Sequence, residues 1–416
     1  MTDRSAHLPA PGAFVARRPL PPTRPHLIGS DAEALQVADR LAAQFRNGAS
    51  ERDRTRRLPW DEIEQYTASG LGGITVPRGY GGADVSYRTL AQIFEILCAA
   101  DPALGQIPQN QFGVLALLRD VGSEAQKQRI YGDILNGYRI GNAGPERGQK
   151  AVNYSTTRLR RTVDGLRLTG RRFYSTGAIF AHWIPTRATD DEKRPVQVWI
   201  PYEAEGLTII DDWSSFGQRT TASGSVEFND VAVEDGLVFP VWSYADRPGL
   251  AGPVSQLIQA AIDGGIAAAA VGDTVEFVRS RARPWVDSGV QSAADDPTII
   301  HEIGHLYTDL HAAQAVLHEA ADVLDAVAAQ PVTDASSARA SAAVAEAKIL
   351  TTEVALEATE KLFDLAGSAA TRATHNLDRH WRNARVHTLH DPVRWKYHLL
   401  GQYHLNGVFP ARHQWN

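Results

Sequence analysis

Three segments in the last third of the chain most restrict what it can fold into: SQLIQAAIDGGIAAAAVGDTVEFVRSRA, TIIHEIGHLYTDLHAAQAVLHEAADVLDAVAA and SARASAAVAEAKILTTEVALEATEKLFDLAG. Each lacks proline and is rich in alanine, the best helix former, with apolar residues on one face. Helices of roughly 25 to 35 residues are far longer than the usual three turns, and their apolar faces suit a four-helix bundle and an oligomer interface. The region from 251 to 416 therefore reads as a helical bundle.

The zone before it changes period. Between 138 and 250, TTRLRRTVDGLRLTGRRFYST, HWIPTRAT, PVQVWIPYE, LTIIDDW and GSVEFNDVAV alternate apolar and polar residues and read as strands. Asp164-Gly165 predicts a hairpin with a type I′ turn. From 30 to 137 the pattern is helical again: DAEALQVADRLAAQF follows a serine cap signal, and YRTLAQIFEILCAA and QKQRIYGDILNG carry apolar residues at i, i+3 and i+4. Residues 1–29, rich in proline and arginine, read as a mobile tail. The fold class expected is α+β, ordered helices, strands, helices.

Composition narrows the function. The net charge of −6 and pI near 6.2 give no nucleic-acid footprint. A lone cysteine, Cys98, excludes an intramolecular disulfide framework and suits a cytoplasmic protein. No apolar run is read as reaching the roughly 18 residues of a bilayer span, and the first thirty residues lack a secretion h-region, so no membrane role is expected.

One motif match is set aside on geometry. HEIGHLYTDLH spaces His301, Glu302, His305 and His311 like a zinc-protease signature, but Thr308 replaces the glycine that turns the chain toward the third histidine. On a continuing helix His305 lies about 40° from His301, whereas His311 points about 80° the other way. A polar helix face is expected there and no metal site. Neither a GxGxxG after a strand, nor a phosphate-binding P-loop, nor a GxSxG elbow occurs.

Two polar-aromatic stretches, RFYSTGAIFAHW and DDWSSFGQRTTASGS, could bed a planar heteroaromatic ring and hydrogen-bond its edge, or could be ordinary strand ends and turns. Near the C-terminus, residues 380 to 398 gather four of the fourteen histidines.

GITVPRGYGG, FYST, FGQRTTASGSVEFNDVAV and LDRHWRNAR together resemble the acyl-CoA dehydrogenase superfamily over about residues 30 to 412. RARPWVDSGVQSAADDP, IDDWSSFGQRTT and HTLHDPVRWKYH are most similar to its SfnB-like sulfur-acquisition and dibenzothiophene monooxygenase branch. The resemblance implies an N-terminal helical domain, a central β-barrel-like domain and a C-terminal four-helix bundle, assembled as a homotetramer. It further implies a two-component monooxygenase of sulfur acquisition. There reduced FMN from a separate NAD(P)H:flavin reductase meets O₂, and a C4a-(hydro)peroxyflavin oxidises a small organosulfur or similar apolar compound. FAD is the other cofactor such a site accepts.

By resemblance, His390, Thr176 and Gln111 are the catalytic candidates. Asn142, Tyr174, Ser175, Thr176, Trp213, Arg219, Arg283, His387, His390 and Asp391 are the cofactor candidates, with Arg283 facing the flavin phosphate. Family dehydrogenases carry a glutamate base just after an RDAR-like segment; here that run reads Leu389-His390-Asp391-Pro392. Asp391 before Pro392 reads as a helix N-cap, which would commit its carboxylate to backbone amides and make it a poor base. His380 and His398 read as surface or interface polar residues. Gln111 stands where relatives carry a histidine and cannot titrate, and Ala369 stands where they carry an arginine. Two further readings follow: an FAD-dependent acyl-CoA dehydrogenase, or a flavin-poor homologue with a binding role.

Overall fold

A computed structural model describes residues 18–147 and 155–416. Its first zone holds α1 (Asp31–Arg46), α2 (Ala49–Thr55), α3 (Trp60–Ala68), α4 (Tyr87–Ala100), α5 (Pro102–Gln106), α6 (Gln109–Val121) and α7 (Glu124–Leu135). Ser30 caps α1 by accepting from Glu33 N, and Ser86 caps α4 by accepting from Thr89 N, each satisfying an amide that the first turn leaves unpaired. Residues 1–17 of the expected tail lie outside the described residues. Residues 18–29 do not hang free: Pro19 and Ile28 are buried, and His26 N donates to Ala68 O at 3.0 Å.

The strands β1 (Arg158–Thr162), β2 (Gly165–Arg172), β3 (Trp183–Thr189), β4 (Pro195–Pro201), β5 (Leu207–Ile210), β6 (Ser225–Val233) and β7 (Val238–Phe239) form one sheet in the order β5-β6-β2-β1-β3-β4-β7. β1 and β3 run parallel and the other neighbours antiparallel. The edges β5 and β7 leave the sheet open where a barrel-like closure was expected. The β1–β2 hairpin forms, but its turn is not type I′: only Gly165 has positive φ, at 110°, while Val163 and Asp164 do not. Thr162 pairs with Gly165, so Val163 and Asp164 form a two-residue loop.

The last zone contains α8 (Ala251–Ser280), α9 (Pro297–Ala328), α10 (Asp334–Ala366), α11 (Asp378–His387) and α12 (Arg394–Asn406). By length and composition α8 is apolar enough to cross a membrane, contrary to the sequence expectation. Here 83% of its most apolar stretch is buried inside the protein, the pattern of a core helix. It is buried because both helical zones share one hydrophobic core, with Leu90, Phe94 and Leu97 of α4 in the same cluster as Leu257, Ile258 and Ile262 of α8. Gly265 permits that approach, since a Cβ there would lie 2.6 Å from Glu95 O. The sheet keeps its own core around Leu168, Val198, Ile200 and Val226.

Candidate functional site

After β2 the chain makes a tight turn in which Tyr174 adopts a positive φ of 55°. Such strain in a non-glycine residue persists only when neighbours over-determine it. Here Ser175 N donates to Gly224 O and Gly177 N to Thr221 O, which pins the turn against the loop before β6. The hydroxyls between the two segments are buried and linked: Thr176 Oγ1 lies 2.7 Å from Ser223 Oγ, which lies 2.8 Å from Thr221 Oγ1, which donates to Gln218 O.

An aromatic corner stands beside this chain. The Tyr174 and Trp213 rings meet edge to face with centroids 5.9 Å apart, and Trp213 Nε1 donates to Gln218 O. Tyr174 is half exposed. Asn142 reaches it, with Nδ2 3.4 Å from Tyr174 O. Five of the candidates, Asn142, Tyr174, Ser175, Thr176 and Trp213, are thus gathered in one place.

Two buried side chains here have unmet hydrogen-bonding capacity. Ser175 Oγ has no partner among the described residues, and neither do Oε1 and Nε2 of Gln218, a residue only 1% exposed. A buried amide left unpaired costs about 1–3 kcal/mol per group. Hydroxyl, amide N–H and amide C=O beside two flat rings fit the polar edge of a planar heteroaromatic ring such as a flavin's. Nothing in the sequence marked Gln218, whose role emerges only from its burial.

The same loop docks onto α11. Gln218 N donates to Asn383 Oδ1 at 2.7 Å, and Gly217 is required because a Cβ there would overlap Arg382 O. One turn further along α11, His387 is buried at the junction of α8, α10 and α11. Its Nδ1 lies 2.5 Å from Asp263 Oδ1 and its Nε2 2.8 Å from Gln259 Oε1. Lys348 Nζ and Thr352 Oγ1 complete the shell of Asp263 at 2.6 and 2.9 Å. Burial opposes the charge on Asp263, yet Lys348 and His387 hold its pKa down at about 2. With both ring nitrogens occupied inside the core, His387 is not available to a cofactor, so that expectation is corrected.

His390 differs. It lies beyond α11 with its side chain about one-third exposed, its ring stacked 6.4 Å from that of His387, and Nδ1 3.1 Å from Asp391 Oδ1. Asp391 is not the N-cap that its sequence suggested. The helix α12 begins only at Arg394, with Val393 at the cap and no side chain bonded there. The buried carboxylate turns instead to His390 and to Lys396 Nζ, 3.7 Å away. Burial works against its ionisation, but the His390 hydrogen bond and the charges of Lys348, His390 and Lys396 prevail and hold it well below the usual carboxylate range. Lys396 is itself lowered to about 8 by burial.

The remaining candidates scatter. Gln111 is spent on the backbone, with Nε2 donating to Gly72 O at 2.7 Å and Oε1 accepting from Ile140 N at 2.9 Å. It is a staple between α6 and the segment before β1 that carries Asn142, and the catalytic expectation for it is corrected. Arg219 is half-buried and donates to Arg54 O. Arg283 sits in the exposed loop after α8, with no hydrogen bond or ion pair among the described residues. His380, expected at a surface or an interface, is buried with Nε2 2.7 Å from Asp273 Oδ2, whereas His398 is exposed. A cavity of about 220 Å³ between α4, α6, α8 and α9, lined by Asp84, Tyr87, Phe112 and Arg119, contains none of these residues and is a separate feature.

Two family models match the chain: "Acyl-CoA dehydrogenase, N-terminal domain" over residues 32–138 and "Acyl-CoA dehydrogenase, C-terminal domain" over residues 257–395. The dibenzothiophene monooxygenase of Rhodococcus qingshengii is 31% identical over 409 residues, covering 94% of this chain and 98% of that protein. The Pseudomonas putida protein named "Probable FMNH2-dependent monooxygenase SfnC" is 28% identical over 395 residues, covering 91% and 96%. Among solved structures, FMN-bound TdsC from Paenibacillus sp. A11-2 superposes with a TM-score of 0.88 at 29% identity, over 92% of this chain and all of that one.

Proposed function

Since this chain belongs to the acyl-CoA dehydrogenase family, with its N-terminal helices, central sheet and C-terminal helices, we propose that it is a reduced-FMN-dependent monooxygenase of organosulfur compounds. One observation carries the choice of chemistry within the family. Asp391, the carboxylate in the segment where family dehydrogenases hold their base, is buried, paired with His390 and Lys396, and held ionised by them. A carboxylate whose pKa lies that low has little drive to take an α-proton from a thioester. The similarity to dibenzothiophene monooxygenases and to SfnC supports the oxygenase reading.

Bound reduced FMN would supply the electrons that activate O₂. The chain's own residues would do the rest. Tyr174 and Trp213 would flank the isoalloxazine, while Ser175 Oγ and the Gln218 amide would bond its polar edge. Thr176 and Asn142 would orient it, and Arg219 would stand at the rim. Arg283, which has no ion pair among the described residues, would neutralise the phosphate by a charge-assisted bond. His390, whose side chain is about one-third exposed and bonded through Nδ1 to Asp391, would move the proton. His387 and Asp391 would hold it in place rather than touch the cofactor.

The reaction needs a separate NAD(P)H:flavin reductase to deliver reduced FMN, and its substrate is a small organosulfur or similar apolar molecule consumed in cytoplasmic sulfur acquisition. A homotetramer accounts for the exposed apolar side chains of α12 and its surroundings, namely Leu389, Trp395, Leu405, Val408 and Phe409.

The test is rapid mixing of the anaerobic protein and reduced FMN with ¹⁸O₂-labelled buffer, with and without dibenzothiophene. Labelled sulfoxide or sulfone, with flavin reoxidation altered by the protein, is the expected result. Reoxidation at the rate of free flavin and no labelled product across sulfides, sulfones and thiophenes would refute the reading.

A further inference from the structure

The helix α9 carries the HEIGHLYTDLH stretch on an exposed face, and the structure groups its residues differently from any zinc-protease spacing. His305 pairs with Asp309 one turn later, Nδ1 to Oδ2 at 2.9 Å. Across the groove Glu357 of α10 joins them: one ligating atom from each of His305, Asp309 and Glu357 lies within 4.8 Å of the other two. From this geometry we infer a three-ligand site for a divalent transition metal, Zn²⁺ in particular, that clips α9 to α10.

Helix register builds the site. The neighbouring turn is closed by Lys361 Nζ on Glu302 Oε2 at 3.2 Å, so stepping back three residues on α9 matches stepping forward four on α10. That antiparallel register holds Glu357 opposite the His305–Asp309 pair. It also consumes the nearest lysine: Lys361 serves Glu302 and Asp364, and Glu357 has no ion pair among the described residues. Two carboxylates this close repel unless a cation lies between them.

The donor set selects the ion. One imidazole nitrogen and two carboxylate oxygens are typical Zn²⁺ ligands at about 2.0–2.2 Å, and a solvent water would take the open fourth position. Ligand atoms around a tetrahedral ion stand about 3.3 Å apart, so the side chains must close by at most about 1.5 Å, within the rotamer freedom of half-exposed residues. His301 and His311 are not part of the site: His301 is exposed and pairs with Glu302, and His311 is exposed on another face of α9.

The experiment is calorimetric titration of ZnCl₂ into the full-length, tag-free protein stripped with chelator, alongside thermal unfolding with and without Zn²⁺. One ion per chain and a raised Tm are expected. His305→Ala and Glu357→Gln should each weaken binding at least about tenfold, the lower end of what loss of even an outer-sphere partner costs a metal site. His301→Ala and His311→Ala should leave it unchanged. All four positions are at the surface of helices, so unfolding does not confuse the outcome. Absence of stoichiometric binding would overturn the proposal, and so would an affinity untouched by Glu357→Gln or lost equally in His301→Ala.

Discussion

His182 offers the most quantitative handle on how the site is held. It is 1% exposed, Nδ1 accepts from Arg139 N at 2.9 Å, and Nε2 meets Leu20 O at 2.8 Å. An acceptor at Nδ1 and a donor at Nε2 define a neutral tautomer, and burial lowers its pKa from 6.5 to about 4. Its folded value lies below its unfolded value. Its contribution to stability is therefore complete above the unfolded pKa near 6.5 and is lost as pH falls through about 4. The full shift corresponds to ~3 kcal/mol, of which ~2 kcal/mol falls between pH 7 and 4.5. Asp120, raised by burial to about 6, runs the other way in the same window, so the wild-type curve alone mixes the two. His182→Gln removes the titration but keeps an acceptor and a donor. In urea unfolding at fixed protein concentration, the stability of wild type relative to His182→Gln should fall by about 2 kcal/mol from pH 7 to 4.5. Because His182 bonds the segment that carries Asn142, the protection of amides 139–143 beyond their intrinsic exchange rate at each pH should fall in parallel. A difference independent of pH would refute the tautomer assignment.

Three further outcomes are expected. His390→Ala should abolish oxygenation while leaving the circular dichroism spectrum and Tm close to wild type; full activity would remove His390 from the chemistry. Arg283→Ala should weaken FMN binding by about 1.5–3 kcal/mol, the worth of a charge-assisted bond, as read by fluorescence quenching, and unchanged affinity would exclude it from the phosphate. Gln218→Met should stabilise the flavin-free protein by roughly 1–3 kcal/mol, since it removes two unpaired buried polar atoms, and should weaken FMN by about the same amount. A flavin affinity that does not change would refute the bond to Gln218.

Much of the fold was readable because its signals are local. The helix α4 occupies the segment YRTLAQIFEILCAA, preceded by a serine cap and closed by Asp101-Pro102, and each strand from β1 to β6 falls within an alternating run. β7, two residues long, has no periodicity to detect. The shared core of α4 and α8 is a tertiary fact, and so is the packing of residues 18–29. Resemblance assembled the Tyr174–Thr176, Trp213 and Asn142 corner, yet it could not separate His387 from His390, because the two share a segment and differ only in what surrounds them. Asp391 misled for a related reason: Asp-Pro is a cap signal when nothing competes, and here the charges of His390 and Lys396 compete. Asp263, a lone charge within the apolar run SQLIQAAIDGGIAAAAVG, was a visible hint of the buried network.

That network fixes the start of the histidine-rich segment to which the proposed chemistry belongs. A lysine and an aspartate with no exposure are expensive to desolvate, and such a pair is retained only where its geometry is fully satisfied. Here Asp263 receives Lys348, Thr352 and His387 from two other helices, so α8, α10 and α11 are locked at the last residue of α11. The turn that follows is short, and His390 N donates back to His387 O at 2.9 Å. His390, the position proposed to react, thus hangs three residues from a fixed point. Among the described residues its one side-chain bond runs to Asp391, which the charges around it keep ionised. An ionised carboxylate on Nδ1 favours the tautomer that carries its proton there and leaves Nε2 free as an acceptor. On the proposed reading the carboxylate would orient and the imidazole would transfer the proton, a division of labour suited to oxygenation and opposite to that of a glutamate base acting directly on a thioester.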